Sequence, residues 1–252
     1  IMANVNIRTP RFYTDHINYF LNRGIAITNF KLLTSGSNLI TAYQNGSDSE
    51  LFDMRPTNPC TWNTSANTSD HILINIDRQS QPTVSTNFIA ILNHNMASAD
   101  AKVRVRHHAT ESNVQDADMG SATRIGAVTE VLNAGSISDE IITPALNGTT
   151  IFTFDNVTTQ HIGIQFEGDS AFDGTTDIMP DDYSNISNSD DNIVEDLWNM
   201  THGSHTPFIF TADSSSTSAS DYLFARHKQD TLSMTQVAPD VFNISMKIEE
   251  EF

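Results

Sequence analysis

Aspartates gather between Gly168 and Asp191, in a stretch that otherwise carries mostly small and polar residues. Carboxylate and carbonyl oxygens at flexible spacing are the ligands that Ca²⁺ prefers. We predict a long surface loop here that offers calcium ligands, and the order of its acids does not match an EF-hand, which needs a closing glutamate. A solvated acidic loop without metal is the competing interpretation. The best candidate ligands are Asp173, Asp177, Asp181 and Asp182.

A second group of polar residues follows an apolar run that reads as a buried strand. The run from Asn87 to Asn93 leads into His94 and Asn95, and Trp62 lies upstream. A strand that ends in hydrogen-bonding side chains delivers them to a sandwich rim, where loops gather and ligands bind. We therefore predict a ligand site formed by Trp62, His94 and Asn95. The alternative is that His94 and Asn95 cap a turn and satisfy backbone groups.

The chain carries none of the common motifs whose spacing encodes a catalytic mechanism. The chain contains no Gly-x-Ser-x-Gly, no His-Glu-x-x-His and no glycine-rich phosphate loop. A hydrolase that uses carboxylates of the 169–191 segment ranks last, because general acid–base catalysis needs a held group in a shaped pocket. The single cysteine, Cys60, is predicted to be a small buried residue. We expect a protein that is not an enzyme.

The charge balance restricts the partners. Thirteen basic residues stand against 31 acidic ones, a formal net charge of -18. A surface of that sign repels phosphate backbones and anionic lipid, so neither nucleic acid nor membrane is an expected partner. The sequence also contains no apolar run long enough to span a bilayer, and its first residues do not read as a signal peptide.

The elements that must position these residues are strands. Three segments within forty residues show the pattern most clearly: 71–77 and 101–107 alternate apolar and polar residues, and 87–93 contains the apolar run Phe88 to Leu92. Segments 149–154, 161–166, 208–211, 222–225 and 242–248 repeat the signal, and 193–200 reads as a helical turn. Gly163, inside one strand, predicts a bulge or a close backbone approach. We predict an all-β chain with a β-sandwich core.

The middle of the chain resembles the galactose-binding-like jelly roll of discoidin-type domains and carbohydrate-binding modules. The features that carry the resemblance are a loop that bears Trp62, a strand ending in Asp77, the strand into His94-Asn95, the alternation of Val103 and Val105, and the 161–166 strand. Members of that fold often bind sugars through loops at one end. The resemblance implies a jelly-roll β-sandwich over residues 51–167, with an N-terminal arm and first strands in 1–50.

Both ends of the chain resemble virion proteins of marine tailed phages. The residues are Asn4 to Tyr13 at the start, and Phe224 to Ser233 with Ile248 to Phe252 at the close. The resemblance implies a capsid-decoration or tail-associated structural protein, made in the host cytoplasm and exposed on the particle. Its partners would be other virion proteins and copies of itself, and it would need no cofactor beyond the calcium considered above.

These observations lead to one interpretation and one alternative. The interpretation is a non-enzymatic virion structural protein that assembles in multiple copies, with residues 168–252 completing the sandwich or docking to neighbours. The C-terminal strand with Glu249 to Glu251 is expected to add to another subunit's sheet. The alternative is a carbohydrate-binding module or adhesin that recognises a cell-surface glycan.

Overall fold

Antiparallel strands make up most of the ordered structure. The computed structural model describes residues 11–24, 30–33, 46, 50–53, 55, 60–63, 72–77, 85–114, 119–138, 140–167, 171–179, 193–238 and 241–251. The strands in these ranges are β1 (Arg11–Thr14), β2 (Phe30–Leu33), β3 (Cys60–Asn63), β4 (Ile72–Asp77), β5 (Thr86–His94), β6 (Lys102–His108), β7 (Thr123–Arg124), β8 (Thr129–Leu132), β9 (Ser136–Ser138), β10 (Ile141–Thr143), β11 (Gly148–Val157), β12 (His161–Glu167), β13 (Ala171–Met179), β14 (Phe208–Thr211), β15 (Tyr222–His227), β16 (Met234–Ala238), β17 (Val241–Ile244) and β18 (Ile248–Glu250). The helices are α1 (His16–Leu21), α2 (Glu111–Val114) and α3 (Ile193–Met200), with 3-10 turns at Glu50–Phe52 and Ala219–Asp221. The prediction of an all-β fold is confirmed.

The chain divides into two compact units. Unit 1 joins residues 1–15 to 180–252, and unit 2 is the continuous segment 16–179. These limits differ from the segments 1–50, 51–167 and 168–252 expected from the sequence, and the roles assigned to those segments stay predictions. Residues 4–10 of the phage-like start lie outside the described residues.

Unit 2 is a sandwich of two sheets around one apolar core. One sheet has the order β2-β4-β12-β6-β10-β9, with β7 also paired to β6, and the other has the order β3-β13-β5-β11-β8. Val105 and Ile164 enter the core from the first sheet, and Ile91 and Phe152 enter it from the second. Cys60 is fully buried in the same cluster, as predicted.

Strand β6 shows how the sequence pattern sets the faces of the first sheet. Val103 and Val105 are fully buried, while Lys102, Arg104 and Arg106 alternate with them on the opposite face. Side chains alternate across a strand, so the outer face of this central strand is basic. The predicted alternation is confirmed.

Gly163 on β12 marks a close approach between chain segments rather than a bulge. Strand β12 pairs with β4 and β6 without a register shift. A Cβ added at Gly163 would lie 2.7 Å from Sδ of Met119 and 3.1 Å from the carbonyl oxygen of Val114. The absence of a side chain therefore lets the α2 region pack directly on the sheet.

Unit 1 is built on the four-stranded sheet β1-β14-β15-β18. Phe12, Leu197, Phe208 and Ala225 form its buried cluster, which joins β1, α3, β14 and β15. Strand β18 lies at one edge, paired to β15 with His227 opposite Ile248. The predicted strand over 242–248 is in fact two strands, because residues 245–247 leave the ladder between β17 and β18.

Two sequence-based assignments are wrong in the structure. Residues 171–179 are not part of a loop, since they form β13, which pairs first with β3 and then with β5. Trp62 is not on a loop either, because it lies in β3 opposite Phe172. In both cases the strand exists through its pairing with neighbours and not through its own periodicity.

Candidate functional site

His94 lies at the end of β5, and both nitrogens of its ring take part in hydrogen bonds. Its Nδ1 accepts the backbone N–H of Met96 at 3.1 Å, and its Nε2 lies 2.9 Å from Oγ1 of Thr150. The hydroxyl of Thr150 donates to the carbonyl of Asn133 at 3.0 Å. Because Nδ1 accepts, the proton sits on Nε2 and is donated to Thr150. Both ring nitrogens are therefore satisfied within the protein.

Asn133, whose carbonyl accepts the Thr150 hydroxyl, is held in turn by two hydrogen bonds between its side chain and the backbone of Leu146. Its amide donates to the carbonyl of Leu146 at 2.7 Å, and its amide oxygen accepts the Leu146 N–H at 3.0 Å. Burial lowers the pKa of His94 from 6.5 to about 4, because the charged ring would lose hydration without gaining a partner. The geometry favours a neutral structural histidine that fixes the end of β5, which is the turn-capping alternative raised by the sequence.

The other two residues of the predicted ligand site lie in or directly after strands of the second sheet. Trp62 is opposite Phe172 on β13, and three residues later Thr175 is opposite Leu92 on β5. Asn95 directly follows β5 and is half-buried. The β13–β5 ladder ends at Thr175 and Leu92, so no pairing places Asn95 beside Trp62, and the assignment of a ligand to Trp62, His94 and Asn95 stays a prediction.

The calcium candidates fall into two groups. Asp173 and Asp177 both lie on β13, opposite Thr61 and Ala90. Residues four apart on a strand have Cα atoms about 13 Å apart, which is too far for both to ligate one ion at 2.3–2.6 Å. Asp181 and Asp182 lie outside the described residues, so their calcium prediction stays open. Over the parts of the chain that the structure describes, no three His, Cys, Asp or Glu residues are grouped to hold a metal.

Unit 1 also contains the hairpin of β16 and β17, which we call the arm and which is distinct from the N-terminal arm expected in residues 1–50. Each of the five residues of β16 is exposed, including Met234 and Val237, whose exposed fractions are 38% and 61%. Strand β16 pairs with β17 alone among the described strands. The register shifts between Gln236 and Ala238, which puts Val237 at an irregularity in the ladder.

The base of the arm is fixed to the four-stranded sheet. The backbone N–H of Lys228 donates to the carbonyl of Lys247 at 2.8 Å. The side chain of Gln229 donates to the carbonyl of Ser245 and accepts the N–H of Lys247, each at 3.1 Å. The arm is therefore a continuation of the β15–β18 pair, held at its base and open along its length.

The sequence contained a signal for the arm that the strand patterns did not reveal. Residues 231–239 carry no charge and are flanked by Asp230 and Asp240. An uncharged run in an acidic chain indicates either a buried or a contacting segment. Exposure in the structure distinguishes the two, because Met234 and Val237 of this run are exposed.

The C-terminal strand is used within the chain. β18 pairs with β15, Glu251 forms an ion pair with Arg226, and Glu249 forms one with Lys228 at 2.9 Å. β18 is an edge strand of its sheet, so the expectation that it adds to another subunit's sheet stays a prediction.

Comparisons with protein-family models, with curated proteins and with solved structures found no match to this chain. Among the described residues, none of the helices has the length and apolar character that crossing a membrane requires. Function must therefore be argued from the geometry of the chain itself.

Proposed function

We propose that the chain is a non-enzymatic structural subunit of a tailed-phage virion, present in multiple copies as a capsid decoration or tail-associated component. The arm is the observation that carries this proposal. A two-stranded hairpin is marginally stable alone in water, yet here it continues a sheet and presents Met234 and Val237 to solvent. A neighbouring molecule that covers the arm would stabilise it.

The backbone of the arm is suited to pairing with another strand. β16 and β17 pair with each other and with no further described strand, so each has an outer edge with N–H and C=O groups turned away from the ladder. Edges of this kind are templates for strand addition between chains. Proteins that stay monomeric commonly protect such edges with charge, and β16 has none.

The partner on the arm is a second copy of this chain. With a net charge of -18, two copies repel one another over most of their surfaces. The uncharged β16 strand, Met234 to Ala238, is a surface where two copies can approach without like charges facing each other. The phage-like residues at both ends of the sequence support placing this repeated subunit in a virion.

Light scattering coupled to size-exclusion chromatography tests the role of the arm. The purified chain is expected to associate as its concentration rises, and Val237→Glu is expected to weaken the association at least about tenfold. The reason is that burying a valine contributes about 1.5 kcal/mol or more, and a buried glutamate opposes the contact further.

Leu146→Glu is the matched control, because Leu146 is 67% exposed and lies in unit 2. It adds the same charge and should leave the association unchanged. Equal weakening by both variants would show that net charge governs association, and a wild-type chain that stays monomeric up to its solubility limit would contradict the proposal.

Quantitative mass spectrometry of purified particles tests the virion assignment separately. Copies comparable to those of the major capsid protein indicate decoration, and a small fraction indicates the tail or a vertex. If the chain self-associates through the arm but is absent from particles, the self-association would be supported and the virion assignment would be contradicted.

A further inference from the structure

An exposed Asn-Gly pair lies where the chain enters β11. Asn147 is exposed, and Gly148 is the first residue of the strand. The φ angle of Gly148 is 117°, a conformation that residues with a side chain rarely adopt. A Cβ added at Gly148 would meet no atom of the described residues within 4 Å. The backbone therefore requires glycine here, and open space lies beside it.

Ser98 holds the side-chain amide of Asn147 through two hydrogen bonds. The amide oxygen Oδ1 accepts the backbone N–H of Ser98 at 3.0 Å, and Nδ2 donates to the Ser98 hydroxyl oxygen at 2.6 Å. Both residues are exposed, so water reaches this contact. The N–H draws electron density from the amide carbon Cγ toward Oδ1, whereas the hydroxyl restrains Nδ2.

The backbone on either side of this peptide bond is loosely packed. Leu146, which precedes Asn147, is 67% exposed. Gly148 is opposite His94, and the register between β5 and β11 shifts before Thr150. The Asn147–Gly148 bond thus lies between an exposed residue and an irregular end of the ladder. Backbone angles can change at such a position without disrupting a packed core.

We propose that Asn147 is a site of spontaneous deamidation, a covalent modification that needs only water as co-reactant. The backbone nitrogen of Gly148 attacks Cγ of Asn147 and forms an N–Cγ bond, which closes a five-membered imide. The Cγ–Nδ2 bond breaks, and Nδ2 leaves as ammonia with the proton that the attacking nitrogen gives up. Water then opens the imide. Attack at Cγ gives aspartate, attack at the backbone carbonyl gives isoaspartate, and no atom is oxidised or reduced.

The two products have different effects on the neighbouring structure. Aspartate offers carboxylate oxygens that accept both the N–H and the hydroxyl proton of Ser98, so that contact survives. Isoaspartate adds one carbon to the backbone between Leu146 and Gly148. Because the N–H and carbonyl of Leu146 hold the side chain of Asn133, isoaspartate disturbs that contact as well. The modification does not depend on the arm or on the proposed assembly.

Peptide mapping by mass spectrometry tests the site on the folded full chain, incubated at pH 8 and digested after glutamate at each time point. The peptide 141–167 contains Asn147 and also Asn156, which is exposed and is followed by Val157. Deamidation is expected at Asn147, as two products of equal mass that chromatography separates. Asn156 is the matched control, because the branched side chain of Val157 crowds the nitrogen that would attack.

Substitutions at Ser98 test how the structure sets the rate. Ser98→Ala keeps the backbone N–H and removes the hydroxyl that restrains Nδ2. It should raise the rate at Asn147 about fivefold, which corresponds to the loss of one ordinary hydrogen bond. Ser98→Thr keeps a hydroxyl and should leave the rate unchanged.

Three results would overturn the proposal. A folded chain that keeps its mass at Asn147, while the urea-unfolded chain deamidates there, would show that the fold closes the site. Equal modification of Asn147 and Asn156 would show that exposure governs the reaction and Gly148 does not. Equal rates in the wild type and Ser98→Ala would show that the Ser98 hydroxyl does not restrain the amide.

Discussion

His94 and His227 are both buried, and burial lowers the pKa of each to about 4. Their surroundings differ. His94 exchanges hydrogen bonds with Met96 and Thr150. The ring of His227 packs 4.9 Å from that of Trp198 and 4.8 Å from that of Phe208, and neither of its nitrogens has a hydrogen-bond partner within the described part of the chain.

This contrast predicts opposite effects of the same substitution. His94→Leu leaves the buried N–H of Met96 unpaired and should lower the free energy of unfolding by about 1–3 kcal/mol. His227→Leu replaces an unsatisfied polar ring by an apolar group and should be neutral or slightly stabilising. Urea unfolding at pH 7.5, followed by circular dichroism, measures both, and a loss in His227→Leu equal to that in His94→Leu would contradict the assignment.

The two lowered pKa values also predict acid sensitivity. Between pH 6.5 and about 4 the two histidines are protonated in the unfolded chain but neutral in the folded chain. The free energy of unfolding therefore falls as pH falls through that window and levels off below it. Each ring contributes on the order of 1–3 kcal/mol to this decline. Unfolding measured from pH 7.5 to 4 should show a shallower decline in His227→Leu than in the wild type, and identical declines would rule out His227 as a source.

At the scale of elements, strands whose pattern is local could be predicted and strands created by their neighbours could not. Alternation identified β4 and β6, and continuous apolar character identified β5. β13 contains two aspartates and a glycine within Ala171–Met179, which resembles a loop in isolation. It is a strand because its residues Thr175 to Met179 pair with the apolar residues of β5.

Gly163 gives a prediction for the packing between α2 and the first sheet. Gly163→Ala places a methyl group 3.1 Å from the Val114 carbonyl and 2.7 Å from the Met119 sulfur, and should lower stability by about 1–3 kcal/mol. The Met119 side chain can move, whereas the Val114 backbone is constrained. When Met119→Ala is already present, Gly163→Ala should therefore still lower stability in thermal unfolding, though by less than in the wild type. No loss in that background would show that the backbone contact carries no strain.

The candidate site was only partly predictable for the same reason. His94 was correctly placed at the end of a buried strand, but its pairing with Thr150, 56 residues away, depends on the β5–β11 ladder. The basic face of β6 was visible as alternation, whereas the residues opposite it on β10 and β12 could be known only from the register. Residue types are encoded locally, and a site is encoded by which strands become neighbours.

For the whole molecule, net charge and the arm act against each other. Copies with a charge of -18 repel at long range, while the arm acts at contact. The Debye length falls from about 30 Å at 0.01 M salt to about 8 Å at 0.15 M. Self-association measured by light scattering should therefore strengthen over this range, and a fall in association with salt would indicate that opposite charges join the copies.

The strand β1 has a consequence for how the chain is made. Thr14 pairs with Phe208, about 190 residues later, whereas unit 2 is continuous and contains its own core. At about 5–20 residues per second, β1 leaves the ribosome about 10 to 40 s before its partner strand exists. Phe12 and Tyr13, buried in the finished protein, are thus without their sheet throughout that interval. Vectorial synthesis therefore makes unit 1 the last part to mature.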